Sequence, residues 1–254
     1  MSLKAVLSLL LAAALLAACG RSTEALVPDT VPQISLARIN GREARDLSAG
    51  YVLAPASEMY DPNSGATLPN SVPVEVTASD ERQVLSVTIS LADGEGGGWQ
   101  DELTFDRDQE IFRNPFTFSV PFRGSPNGLR SAFVTLVATD DAGQVNREYS
   151  ATVQVDGSLP VVSVTVPEEP QREIFLAYGQ ASDPESGLLE LEVYLDGEPL
   201  SVQRGGSTFS ATIDPSELFV GTHTLAVVAV NGVNEAAVVL KTFETLPEED
   251  APTP

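Results

Sequence analysis

The chain reads as an all-β protein, two tandem antiparallel sandwiches following a removable N-terminal segment. Three observations carry this. Between residues 32 and 246, short runs rich in Val, Thr, Ile and Phe alternate apolar with polar residues and are punctuated by Pro, Gly, Asn, Asp and Ser. That is the pattern of half-buried strands joined by turns, and helical periodicity is nearly absent. The same stretch repeats itself, and the chain opens on an apolar run that belongs to neither copy.

Residues 1–18 carry Lys4 and then an almost unbroken apolar run from Ala5 to Ala18. A membrane span needs about 20 residues, so this run fits the apolar part of an export signal instead. It ends at Cys19, the one cysteine of the chain. A single cysteine excludes a disulfide framework and a cysteine-rich zinc site.

Leu16-Ala17-Ala18-Cys19 resembles the lipobox of bacterial lipoproteins. The resemblance implies cleavage before Cys19, a diacylglycerol thioether on its sulfur and acylation of its new amine. Several acyl chains would anchor the protein stably to a membrane. Gly20, not an aspartate, follows Cys19, which by the habit of that family points to the outer rather than the inner membrane. Residues 19–31 read as a tether, and residues 247–254, proline-rich, acidic and without apolar period, as a frayed tail.

The first copy spans 32–156 and the second 157–246. VPVEVTASDERQVLSVTISLADG from Val72 matches EIFLAYGQASDPESGLLELEVYLDG from Glu173. Each is an alternating strand, an Ala-Ser-Asp turn, a second alternating strand and Asp-Gly. FTFSVPF from Phe116 matches STFSATI from Ser207, and the run from Ser131 matches the run from Thr222. The openings Pro32-Gln33-Ile34 and Pro160-Val161-Val162 match as well. The first copy carries insertions near 39–70 and 92–115, and GYVLAP from Gly50 reads as an added strand. Period two turns Ala132, Val134, Leu136 and Ala138 inward in one copy, and His223, Leu225, Val227 and Ala229 in the other.

ASDPESG at 181–187, YLDGEPL at 194–200, GTHTLAVVAV at 221–230 and ATDDAGQVN at 138–146 resemble the bacterial Ig-like domains strung along envelope and surface proteins. The resemblance implies the Ig-like sandwich fold and is silent on ligand, since such domains serve as spacers, adhesins and assembly modules alike.

With 14 basic and 36 acidic residues the formal net charge is −22. Such a surface repels nucleic-acid phosphates, excluding nucleic acid as a partner, and leaves divalent cations electrostatically welcome. Chemistry finds little purchase. There is no phosphate-binding loop, dinucleotide fingerprint or zinc-protease motif, and the one histidine, His223, has inward parity and no nucleophile motif beside it. The reading is a non-enzymatic envelope lipoprotein, held in the membrane through Cys19 and contacting other envelope proteins. The alternative is an adhesin-like surface protein binding carbohydrate through Trp99, the only tryptophan, or calcium. For calcium, Asp183 and Glu185 follow a strand in a turn placed beside Asp156 at the junction, with Asp80, Glu81, Asp140 and Asp141 in corresponding loops of the first copy.

Overall fold

Alternation sorts this chain into sheets, and turn residues set where each strand stops. The computed structural model describes residues 30–44, 51–81, 83–93, 97–105 and 114–247. The signal segment, Cys19, nearly all of the tether and residues 248–254 lie outside the described residues. The first copy contains β1 (Gln33–Ile39), β2 (Arg42–Glu43), β3 (Val52–Asp61), β4 (Ala66–Pro69), β5 (Pro73–Ser79), β6 (Val84–Asp93), β7 (Gly98–Thr104), β8 (Phe116–Ser119), β9 (Arg130–Asp140) and β10 (Val145–Ser158). The second contains β11 (Val161–Thr165), β12 (Phe175–Ser182), β13 (Leu188–Leu195), β14 (Glu198–Pro199), β15 (Gln203–Gly205), β16 (Thr208–Ile213), β17 (Gly221–Asn231) and β18 (Ala236–Thr245).

The second copy is the plainer. Its sheets run β11-β12-β16-β15 and β14-β13-β17-β18. Lettered along the chain, these are A-B-E-D and C′-C-F-G, the Greek-key order of an immunoglobulin sandwich with one added C′ strand. The first copy keeps A-B-E as β1-β5-β8 and C′-C-F-G as β7-β6-β9-β10, has no D strand among the described residues, and adds β2 beside β1 and β3 and β4 beside β10. Inward residues on β9 and β17 are buried as their parity requires: Ala132, Val134, Leu136 and Ala138, then His223, Leu225, Val227 and Ala229. They meet Val74, Val76, Phe116 and Phe118, or Ala177, Phe209 and Ile213, from the facing sheets. Burial of this apolar surface, at roughly 25 cal/mol per Å², is what holds the sheets together.

The insertions have distinct roles. Of the run GYVLAP, Val52 to Pro55 open β3, a ten-residue strand that leaves the β1 sheet and pairs in parallel with β10, from Val52 opposite Val153 to Tyr60 opposite Ser158, and Gly50 lies outside the described residues. Ala54 and Ala56 on it are fully buried, and their small side chains let it lie close. It covers an edge that β10 would otherwise present to solvent. The insertion at 92–115 contributes β7, the C′ strand, on which Trp99 stands opposite Leu91.

Candidate functional site at the sandwich junction

The residues that join the copies come from four places. Asp156 lies near the end of β10, Asp183 begins the turn after β12, Asn231 ends β17, and Asn40, Asn63 and Asn70 belong to the first insertion. Asp-Pro-Glu-Ser-Gly forms a turn and Asp156-Gly157-Ser158 a bulge at the end of β10, and each aspartate satisfies its own local backbone. Asp156 Oδ1 accepts from the Ser158 N–H at 3.0 Å and hydroxyl at 3.2 Å. Asp183 Oδ1 accepts from the Ser186 N–H at 2.8 Å. Each carboxylate thus keeps its second oxygen for the junction.

Asn231 supplies the link. Its Nδ2 donates to Asp183 Oδ2 at 3.1 Å, to Asp156 Oδ2 at 3.3 Å and to the Ser158 carbonyl at 3.3 Å. Its own Oδ1 accepts from the Val233 and Glu235 N–H groups, so the side chain cannot turn away. Asn231 and Asp156 are fully buried and Asp183 nearly so. Gly232 makes the approach possible: a Cβ there would run into the Ser186 carbonyl, and its N–H donates to Gly187 O at 2.8 Å.

Around this centre the first insertion grips the second copy. Glu235 Oε1 accepts from Asn40 Nδ2 at 2.8 Å and Asn70 Nδ2 at 3.0 Å, and Asn40 also donates to Val233 O. Asn63 Nδ2 donates to Pro160 O at 2.8 Å while its Oδ1 accepts from Val162 N at 2.8 Å. The Leu159 N–H donates to Tyr60 O. Every one of these bonds joins residues distant in sequence.

The electrostatics are one-sided. Burial pushes the Asp156 carboxyl above its ordinary value, hydrogen bonds from Ser186 and Ser158 oppose this, and the Asp183 charge adds to it. Glu185, half-buried beside them, is raised by burial and by the charges of Asp156 and Asp183. Glu235 is raised by burial and by Asp156, against the Asn70 and Asn40 bonds. Asp156 and Asp183 meet through the Asn231 amide, which sits between them, and Glu185 lies within range of both their charges. Among the described residues, no three His, Cys, Asp or Glu side chains are grouped to hold a metal ion.

The remaining candidates have structural surroundings. Trp99 is half-buried and packs on the core with Leu103 and Phe105. His223 is fully buried, with Nδ1 2.6 Å from Asp196 Oδ2 and Nε2 2.8 Å from the Phe219 carbonyl, and its ring lies against Phe219 and Phe243. Asn231, Glu235 and the three asparagines of the insertion escaped the sequence reading. Asn-Gly-Val-Asn reads only as a hairpin turn, and nothing local says what an asparagine side chain will reach.

This topology and this junction define a tandem immunoglobulin-like β-sandwich protein whose two copies are tied by buried polar bonds. No protein-family model and no curated protein matches the sequence. Among solved structures the chain is similar to the fibronectin(III)-like modules of Clostridium thermocellum CbhA, with a TM-score of 0.44 and 13% identity over 85% of this chain and 94% of that one. It is also similar to the chicken CNTN1 FN1–FN3 domains, with a TM-score of 0.35 and 12% identity over 77% and 68% of the two chains. A third likeness is to a 1.5-MDa bacterial ice-binding adhesin, with a TM-score of 0.32 and 13% identity over 87% and 66%.

Proposed function

We propose that this chain is a lipid-anchored protein of the bacterial envelope, attached through Cys19, whose folded part is a stiff, non-enzymatic strut that presents itself to other envelope proteins at a set distance from the membrane. The observation that supports it is the junction. Bonds from Asn40, Asn63, Asn70 and Asn231 bridge the copies where a freely jointed pair would have solvent and a linker. Spacers transmit position, and a buried hydrogen-bonded joint resists bending because each broken bond strands a buried polar group. The lipobox resemblance at Leu16–Cys19 supplies the anchor, and the acidic surface suits an exported, soluble body.

Two measurements test the reading. In cells fed an alkyne fatty acid, the wild-type chain should take label and fractionate with membranes, and Cys19→Ser should do neither. Label on the serine variant would overturn the anchor. Scattering from a soluble form lacking residues 1–19 should give one narrow distribution of lengths. A broad distribution would overturn the strut.

A further inference from the structure

The two copies carry the same device at their N-terminal poles with one atom changed. Asp140 ends β9 as Asn231 ends β17, and the hairpins that follow bond alike. The Asp140 N–H donates to Gln144 O at 3.1 Å where Asn231 donates to Glu235 O at 2.9 Å. Asp140 Oδ1 accepts from the Ala142 and Gln144 N–H groups, as Asn231 Oδ1 accepts from Val233 and Glu235. The Asp141 N–H donates to Gln83 O, as Gly232 donates to Gly187 O, so the preceding loop is pinned on the hairpin in both copies. Asp80 follows Ala78-Ser79 as Asp183 follows Ala181-Ser182.

In the second copy the free end of residue 231 is an N–H donor that reaches Asp183. In the first copy the corresponding atom is Asp140 Oδ2, a carboxylate oxygen. Asp140 is fully buried, and among the described residues its Oδ2 has no hydrogen-bond partner. An acceptor thus stands where a donor is required, turned by this correspondence toward another carboxylate. A buried charge left so is costly unless positive charge joins it.

We propose that Asp140 and Asp80 at the N-terminal pole of the first sandwich hold a divalent cation, calcium by its tolerance of irregular oxygen shells, in the place that the Asn231 amide fills in the second. The site draws on these two carboxylates, so backbone carbonyls and water complete the shell. Binding is then weak, with Kd about 10⁻⁴–10⁻³ M, the range of extracellular calcium modules.

The test uses the full-length protein in detergent. Calcium at about ten times Kd should raise Tm by about 3–6 °C, and calorimetric titration should count one ion. Asp140→Asn restores the amide, so it should melt higher than wild type without calcium and show no calcium shift. Asp80→Asn should also lose the shift, and Glu235→Gln, at the junction, should keep it. Absence of a calcium shift in wild type would overturn the site, as would a shift that persists in Asp140→Asn. An equal shift from magnesium would also overturn it, since screening of a general acidic surface does not distinguish the two ions.

Discussion

Asn231 Nδ2 lies 3.1 Å from Asp183 Oδ2 and 3.3 Å from Asp156 Oδ2, so a single amide joins a carboxylate of one sandwich to a carboxylate of the other. Asn231→Asp keeps the size and removes the donor, leaving three buried carboxyl groups in contact. The loss should be about 3–5 kcal/mol, the cost of an uncompensated buried charge. Urea unfolding measures it, and a loss under about 1 kcal/mol would show that the amide is not what ties the copies.

Acidity should tighten the junction. Glu235 and Asp156 both have carboxyls raised above their ordinary values of 4.5 and 3.8, chiefly by burial. A group with a raised folded pKa contributes stability that is whole below the unfolded value and is lost as pH rises through the folded one. The urea midpoint should therefore be higher near pH 5 than near pH 7.5. In Glu235→Gln the remaining carbonyl oxygen still accepts from Asn40 and Asn70 while the charge is gone, so the difference should shrink. An unchanged pH profile in that variant would place the titration elsewhere.

Asn63 is the reach of the first insertion into the second copy. Asn63→Ala removes the bond to Pro160 O and leaves the Val162 N–H without its acceptor, for a loss of about 1–3 kcal/mol. In the form lacking residues 1–19, spin labels at the exposed Thr117 and Thr212 should report a broader distance distribution in this variant. Equal widths would mean the joint is stiff for another reason.

His223 should matter to stability. His223→Ala empties a buried site between Phe219 and Phe243 and deprives Asp196 of its partner, at a cost of about 3 kcal/mol by cavity and lost bond together. The Asp196 carboxyl is held below its ordinary value: burial opposes this, and the His223 and Thr224 bonds and the His223 charge outweigh it. A depressed folded pKa gives stability present above the unfolded value of 3.8 and lost as pH falls through the folded one. The variant should consequently lose less on acidification below pH 4 than the parent, and thermal melts across that range measure the difference.

The sequence by itself determined the strands, their faces and their doubling. Period two decides which side chains of β9 and β17 are buried, because alternate residues of a strand point to opposite faces whatever lies beyond them. The repeat was legible because the same strand order was written twice, and the Asp80 and Asp183 turns could be placed because Asp stabilises a turn from within its own few residues. Which partners meet across the junction was decided only in three dimensions. β3 pairs with β10 across about a hundred residues of chain, and Asn40, Asn63 and Asn70 reach groups in the second copy that no local pattern connects to them. A hydrogen bond of that kind depends on the packing that brings its ends together, so the asparagine that joins the sandwiches looks in the sequence like any other turn residue.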